Sequence, residues 1–204
     1  MSKTGLESLR GHIEGLPGGL RRHIKAVAAE ARRLARLHGV DEERAMMAAL
    51  THDIVRAMHP EELLRLAHEL GLNPNEVEGA APILLHGPVA ARLLASRYGV
   101  EDEEVLASAR WHSTGRAGMS ALEKVLFLAD KVEPGKIAER PNLEEVRRLA
   151  ETDLDGAVLR YLDLQLVEAV AQGWPLHPDA VAARNELLLT RQGRGQRLPR
   201  APNP

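Results

Sequence analysis

The chain has 204 residues, enough for one well-buried core, and its formal net charge of −2 gives no overall attraction to nucleic acid or to an anionic membrane. It contains no cysteine, which excludes disulfides, thiolate metal sites and a cysteine nucleophile together. No apolar run of signal-peptide type opens it, and no stretch approaches the roughly 20 apolar residues of a spanning helix, so a soluble cytoplasmic protein is expected.

Aromatic residues are 2% of the chain, so the core must be built from Leu, Ala, Val, Ile and Met, and the abundance of Ala, Leu, Glu and Arg favours helix throughout. The expected class is all-α. Residues 1–18 read as a weak helix and N-terminal extension, broken at Leu16-Pro17-Gly18-Gly19. A helix over 19–38 places Ile24, Val27, Ala28, Ala31, Leu34 and Ala35 at helical spacing, with Gly39 in position to end it. Asp41 caps a helix over 42–57, His59-Pro60 separates it from one over 61–70, and Gly71 with Asn73-Pro74 makes a turn. Gly87-Pro88 opens a helix to 98, and another spans 102–112. Ser120 caps a helix to 133 that Pro134-Gly135 stops; a loop runs through Pro141, and helices over 143–151, 153–172 and 178–191 complete a bundle. The domain is thus expected over 19–192, followed by a basic, Gly- and Pro-rich disordered tail over 193–204.

The chemistry concentrates in six residues: His23, the pair in Thr51-His52-Asp53-Ile54, His86 before Gly87, His112 in Trp111-His112-Ser113-Thr114-Gly115, and Asp130 in Phe127-Leu128-Ala129-Asp130-Lys131. Imidazoles and carboxylates bind borderline divalent metals, and six exceed what one tetrahedral site needs. Two ions sharing a carboxylate, and phosphate-ester or phosphoanhydride chemistry, follow as the expectation. Helical position supports it. Asp130 continues the stripe of Leu122 and Leu126, where an ionised carboxylate is costly without a cation. His112 shares a face with Val105 and Ala109, His52 follows Ala45, Ala48 and Ala49, and His23 lies one turn before Val27. A purely structural network of buried His–Asp hydrogen bonds is the competing explanation. The remaining histidines, His12, His38, His59, His68 and His177, sit near helix ends or among charges and read as surface residues.

This ordered series resembles the HD-domain metal-dependent phosphohydrolases, and more narrowly the YqeK-type HD hydrolases, which split diadenosine tetraphosphate into two ADP. The narrower likeness is carried by His86-Gly87, by His112 to Gly115 with Met119-Ser120, by Phe127 to Asp130 with Glu133-Pro134, by Arg147 with Leu149-Ala150, by Asp153-Leu154-Asp155, and by Ala183-Arg184-Asn185. It runs from about residue 19 to about 188. The resemblance implies an HD-domain helical bundle and two divalent ions, iron in the first place, with Mn, Co, Ni or Zn also suited to such donors. One ion would be held by His23, His52, Asp53 and Asp130, the other by His86 and His112, with Asp53 bridging. A water between the ions would attack phosphorus of a dinucleoside polyphosphate. Asp53 and Arg56 would serve catalysis, and Thr114, Gly115, Lys136 and Arg147 would bind substrate. Tyr98, Trp111, Phe127, Tyr161 and Trp174 are the rings available for base stacking. The chain departs from the family at Ser113 (usually Thr), Arg56 (usually Lys), Lys136 (usually Arg) and Leu20 (usually Arg), positions that touch substrate contacts more than metal binding. No DNA or membrane partner is expected, and a homodimer is left open. Other readings are a different HD nucleotidase or phosphatase, and a nucleotide-sensing HD module with little turnover; a Gly-Tyr-Pro type of phosphodiesterase lacks its motif here.

Overall fold

A computed structural model describes residues 3–193. In chain order it contains α1 (Lys3–Gly15), α2 (Gly18–His38), α3 (Glu42–Thr51), α4 (Pro60–Glu69), α5 (Glu76–Ala80), a 3-10 turn (Pro82–Leu85), α6 (His86–Ser96), α7 (Glu103–Trp111), α8 (Ala121–Val132), α9 (Pro134–Glu139), a second 3-10 turn (Pro141–Leu143), α10 (Glu144–Ala150), α11 (Leu154–Ala171) and α12 (Pro178–Gly193). No strand occurs among the described residues, and no helix there is long and apolar enough to cross a membrane.

The helix ends follow from side-chain chemistry. The Asp41 carboxylate accepts from Arg44 N, and Ser120 and Glu123 form a reciprocal capping box at the start of α8. Gly39 closes α2 at φ 65°, where a side chain would be strained. Helix α8 is the axis of the bundle: Leu122, Val125, Leu126, Phe127, Leu128, Ala129 and Val132 are all buried, and α2, α3, α7, α10 and α11 pack around it. Truncating one such leucine to alanine costs about 2–5 kcal/mol. The face of α2 carrying Val27, Ala31, Leu34 and Ala35 packs on α3, whose Ala45, Ala48 and Ala49 present no bulk and let the two backbones approach closely.

Several boundaries differ from those expected. Helix α3 stops at Thr51, and 52–57 form successive turns held by Arg56 N to Asp53 O and Met58 N to Val55 O, each 3.0 Å. The connection expected as a loop before Pro141 contains α9, because the Glu133 carboxylate caps its first amides ahead of Pro134. Asn75 and Glu78 form a capping box for the short α5. Helix α12 continues to Gly193; residues 194–204, where the disordered tail was expected, lie outside the described residues.

The histidines read as surface residues divide. His177 is buried; its ring accepts from Asp179 N and meets the Asn75 amide at 3.3 Å, fastening α12 to α5. Half-buried His38 donates to Ala150 O at 2.7 Å. His12 is also half buried. Its Nε2 donates to Ile54 O at 2.8 Å, and Tyr98 Oη donates to its Nδ1 at 2.9 Å. Together with buried Leu9, these bonds fasten α1 beside the His52-Asp53 turn.

Candidate metal centre

All six sequence-predicted ligand residues meet at one place. His23 comes from α2, His52 and Asp53 from the turn after α3, His86 from the first position of α6, His112 from the C-cap of α7, and Asp130 from the last turn of α8. His52, Asp53, His86, His112 and Asp130 are buried, while His23 is partly exposed at the mouth of a cavity of about 570 Å³.

Three of the rings are oriented by the same local device. Each stands at the end of a helical turn and folds back on the carbonyl three residues earlier: His52 Nδ1 on Ala49 O at 2.7 Å, His112 Nδ1 on Ala109 O at 2.8 Å, and His86 Nδ1 on Ile83 O. A carbonyl can only accept, so each Nδ1 carries the proton, and in the neutral ring each Nε2 presents a lone pair to the centre. His86 Nε2 and His112 Nε2 then face each other at 2.9 Å, with Ser113 Oγ 3.2 and 3.1 Å away. One hydroxyl proton cannot serve both nitrogens. Lone pairs this close repel unless a cation or a shared proton lies between them.

The carboxylates complete two groups. Asp53 Oδ2 lies 3.4 Å from His52 Nε2 and 3.8 Å from His23 Nε2, whereas its Oδ1 lies 3.2 Å from His86 Nε2 and 3.4 Å from His112 Nε2. Asp130 Oδ1 is 3.0 Å from His23 Nε2 and 3.7 Å from His52 Nε2. His52 Nε2 and Asp53 Oδ1 are buried without a hydrogen-bond partner. Donor atoms of His23, His52 and Asp130 fall within 4.8 Å of one another, as do those of His52, Asp53 and His112. The two triplets share His52, but the split of the Asp53 oxygens assigns that ring to the His23 side. The donor set, its spacing and its unpaired atoms all fit divalent cations.

Burial and charge oppose each other throughout the centre. Burial alone would raise the Asp53 carboxyl, but His52, His112 and His86 hold it well below the usual carboxylate range. Asp130 behaves likewise: its burial is outweighed by Lys131, His23 and His52. Lys131 Nζ contacts Asp130 Oδ2 and donates to His112 O at 3.2 Å, and despite its own burial this pairing keeps it charged. For His112 burial wins and lowers its pKa to about 4, so the ring stays neutral. For His52 burial is overcome by Asp53 and Asp130, raising its pKa to about 10; a metal binding there therefore displaces a proton.

The expected substrate contacts separate. Arg56 and Lys136 line the cavity. Thr114, Gly115 and Arg147 do not: the buried Thr114 hydroxyl donates to Gly115 O, the Gly115 amide is already used by Trp111 O at 2.8 Å, and Gly115 Cα faces Met119 and Phe127 in the core. Of the rings, Tyr161 borders the cavity, whereas Trp111 does not and lies against the Arg110 and Arg116 guanidinium groups. Sequence reasoning missed Glu133 as an orienting group: its Oε1 lies 3.4 Å from His23 Nδ1 while both of its oxygens cap α9. An acid ahead of Pro134-Gly135 was the available signal. Arg140, Leu143 and Gln165 also line the cavity, and no local pattern marks them.

Comparison with known proteins agrees with this geometry. Residues 20–135 match the HD domain. A protein of Halalkalibacterium halodurans named bis(5'-nucleosyl)-tetraphosphatase, symmetrical, is 38% identical over 82% of this chain and 88% of its own length. A Bacillus subtilis protein of the same name is 35% identical over 81% and 88%. Among solved structures, a predicted HD superfamily hydrolase involved in NAD metabolism from Clostridium acetobutylicum superposes with a TM-score of 0.85 at 30% identity, covering 91% of this chain and 97% of that one. In sequence, in shape and in the residues gathered at its centre, the chain belongs to the HD-domain family of metal-dependent hydrolases, on the branch of the symmetrical bis(5'-nucleosyl)-tetraphosphatases.

Proposed function

We propose that the protein hydrolyses dinucleoside polyphosphates, and diadenosine tetraphosphate above all, symmetrically to two ADP. The observation that carries this reading is the Asp53 carboxylate, whose two oxygens face separate imidazole pairs in a cavity that Arg56, Lys131, Lys136 and Arg140 also line. The names of the similar proteins supply the substrate class. We assign His23, His52, Asp130 and Asp53 Oδ2 to one divalent ion, and His86, His112 and Asp53 Oδ1 to a second. The chemistry such a pair would supply is acidification of a water and neutralisation of negative charge on phosphorus oxygens. Iron is our assignment on family resemblance; the donor set suits Mn, Co, Ni and Zn as well.

The chain's own residues prepare that site. Carbonyl-bound Nδ1 protons fix the tautomers of His52, His86 and His112, Glu133 orients His23, and Lys131 keeps Asp130 ionised. Arg56 and Lys136 meet the phosphates at the cavity mouth. In the reaction a water oxygen bonds to the second phosphorus from one adenosine. The bond from that phosphorus to the oxygen it shares with the third breaks, the other ADP departs with the electron pair, and the protons of the water pass to solvent. The cytoplasm as its place, and the lack of a DNA or membrane partner, are assigned from the small net charge and the absence of cysteine. The test is product analysis after incubating the metal-loaded protein with diadenosine tetraphosphate. Two ADP are expected; AMP plus ATP, or no turnover with any of the five metals, would contradict the reading.

A further inference from the structure

Three side-chain polar atoms among the described residues are buried without a hydrogen-bond partner: His52 Nε2, Asp53 Oδ1 and Gln165 Oε1. All three residues belong to the same region, for Asp53 and Gln165 both line the one cavity and His52 adjoins Asp53. The first two atoms belong to the residues assigned above as metal ligands. The third does not. Gln165 lies on α11, one turn after Tyr161, in the wall that also carries Lys136, Arg140 and Leu143. Of the cations lining this cavity, Arg140 pairs with Glu168 at 2.6 Å and Lys131 with Asp130 and His112 O, and neither Lys136 nor Arg56 donates to the Gln165 oxygen. An unpaired buried amide oxygen costs about 1–3 kcal/mol, so a donor supplied by a ligand is worth most at such a point.

The chemistry of the substrate class decides which part of it comes here. The phosphate chain of a dinucleoside tetraphosphate is capped at both ends by nucleosides, so at neutral pH every phosphate is ionised, presents acceptors only and has nothing to give an amide oxygen. Donors exist only in the nucleoside, as ribose hydroxyls or as base N–H groups. Tyr161, one turn before Gln165 on α11, and Leu143 line the same cavity and supply apolar surface against which a ribose or base can pack. We propose that the α11 wall is the nucleoside subsite of the cavity, with Gln165 Oε1 accepting a hydrogen bond from the nucleoside and Tyr161 and Leu143 flanking it, while Arg56 and Lys136 keep to the phosphates. This deepens, and rests on, the assignment of dinucleoside polyphosphates as substrate.

The test is a binding comparison on the full-length, metal-loaded protein, by calorimetry with ADP and with inorganic tripolyphosphate. Gln165→Leu should weaken ADP roughly 10-fold and leave tripolyphosphate unchanged. Because the variant removes an unpaired buried oxygen, its Tm should stay level or rise, where a glutamine with a merely structural role would lower it. Gln165→Met, closer in length, repeats the measurement should the leucine variant fold poorly. Purine riboside diphosphate, which has hydrogen in place of the amino group, 2'-deoxy-ADP and 3'-deoxy-ADP identify the donor: the analogue already missing it should bind parent and variant equally. Unchanged ADP affinity in both variants, or an equal loss for tripolyphosphate, would overturn the subsite. Neither result depends on turnover. A failure of the parent to release two ADP from diadenosine tetraphosphate would instead bring down the substrate assignment.

Discussion

Gly87 gives the sharpest structural prediction. It follows His86 at the start of α6, and a Cβ built on it would lie 2.7 Å from Arg110 O and 2.9 Å from Ala109 O, against 3.4 Å or more in ordinary contact. Both obstacles are backbone at the end of α7, so no side chain can swing away. Gly87→Ala must push α6 and α7 apart by roughly half an ångström, an overpacking strain of about 2 kcal/mol. For a domain of this size that is a fall of about 4–8 °C in Tm. The same displacement separates His86 from His112, whose Nε2 atoms stand 2.9 Å apart, and carries with it the Ala109 carbonyl that orients His112. The loss should therefore be selective: the ion assigned to His86 and His112 is weakened more than the one assigned to His23, His52 and Asp130. Thermal denaturation and metal titration of parent and variant measure both effects. A variant with the parent's Tm and two equally tight ions would refute the reasoning.

Acid should weaken the metal-free protein in a defined window. His112 titrates near 6.5 when unfolded and near 4 when folded, so between those values the unfolded chain holds the extra proton and stability rises with pH. Its contribution, up to roughly 3 kcal/mol, is complete above pH 6.5 and lost toward pH 4; the lowered carboxyls of Asp53 and Asp130 act in the same direction at still lower pH. His52 works oppositely, its contribution being lost only as pH rises through about 10. A Tm of the chelated protein that stays flat from pH 7 to 4.5 would contradict this. Arg56→Ala and Lys136→Ala should each raise KM for the tetraphosphate by roughly 10-fold without releasing metal, and the deficit should shrink at high salt; steady-state kinetics at two ionic strengths would expose the reasoning as wrong if KM stayed at the parent value.

The helical architecture was legible because apolar spacing and caps agree: Val27, Ala31 and Leu34, or Leu122 and Leu126, face inward as their spacing requires, and Asp41 and Ser120 start helices where expected. The inward placement of His23, His52, His112 and Asp130 was legible for the same reason, since each extends an apolar face. Local pattern failed where structure is set by single contacts. Helices α5 and α9 are too short to show a period and exist because Asn75, Glu78 and Glu133 cap them. Helix propensity runs on past Thr51, yet the chain turns there to bring His52 and Asp53 to the centre. Thr114 and Gly115 adjoin a ligand in sequence but turn into the core, because Gly115 at φ 66° redirects the chain toward Met119. His177 takes its meaning from Asn75 and Gln165 from the cavity it lines, both built by residues far away in sequence that no window on the chain contains.

The Asp53 carboxylate, with one oxygen toward each imidazole pair, is the point on which the whole centre depends. Metal content per chain, measured anaerobically on the parent and on Asp53→Ala together with release of ADP from diadenosine tetraphosphate, tests it directly. The parent should hold two ions and yield two ADP, and the variant should lose bound metal and turnover together. A variant that kept two ions, or that turned over at the parent's rate, would contradict the bridging role.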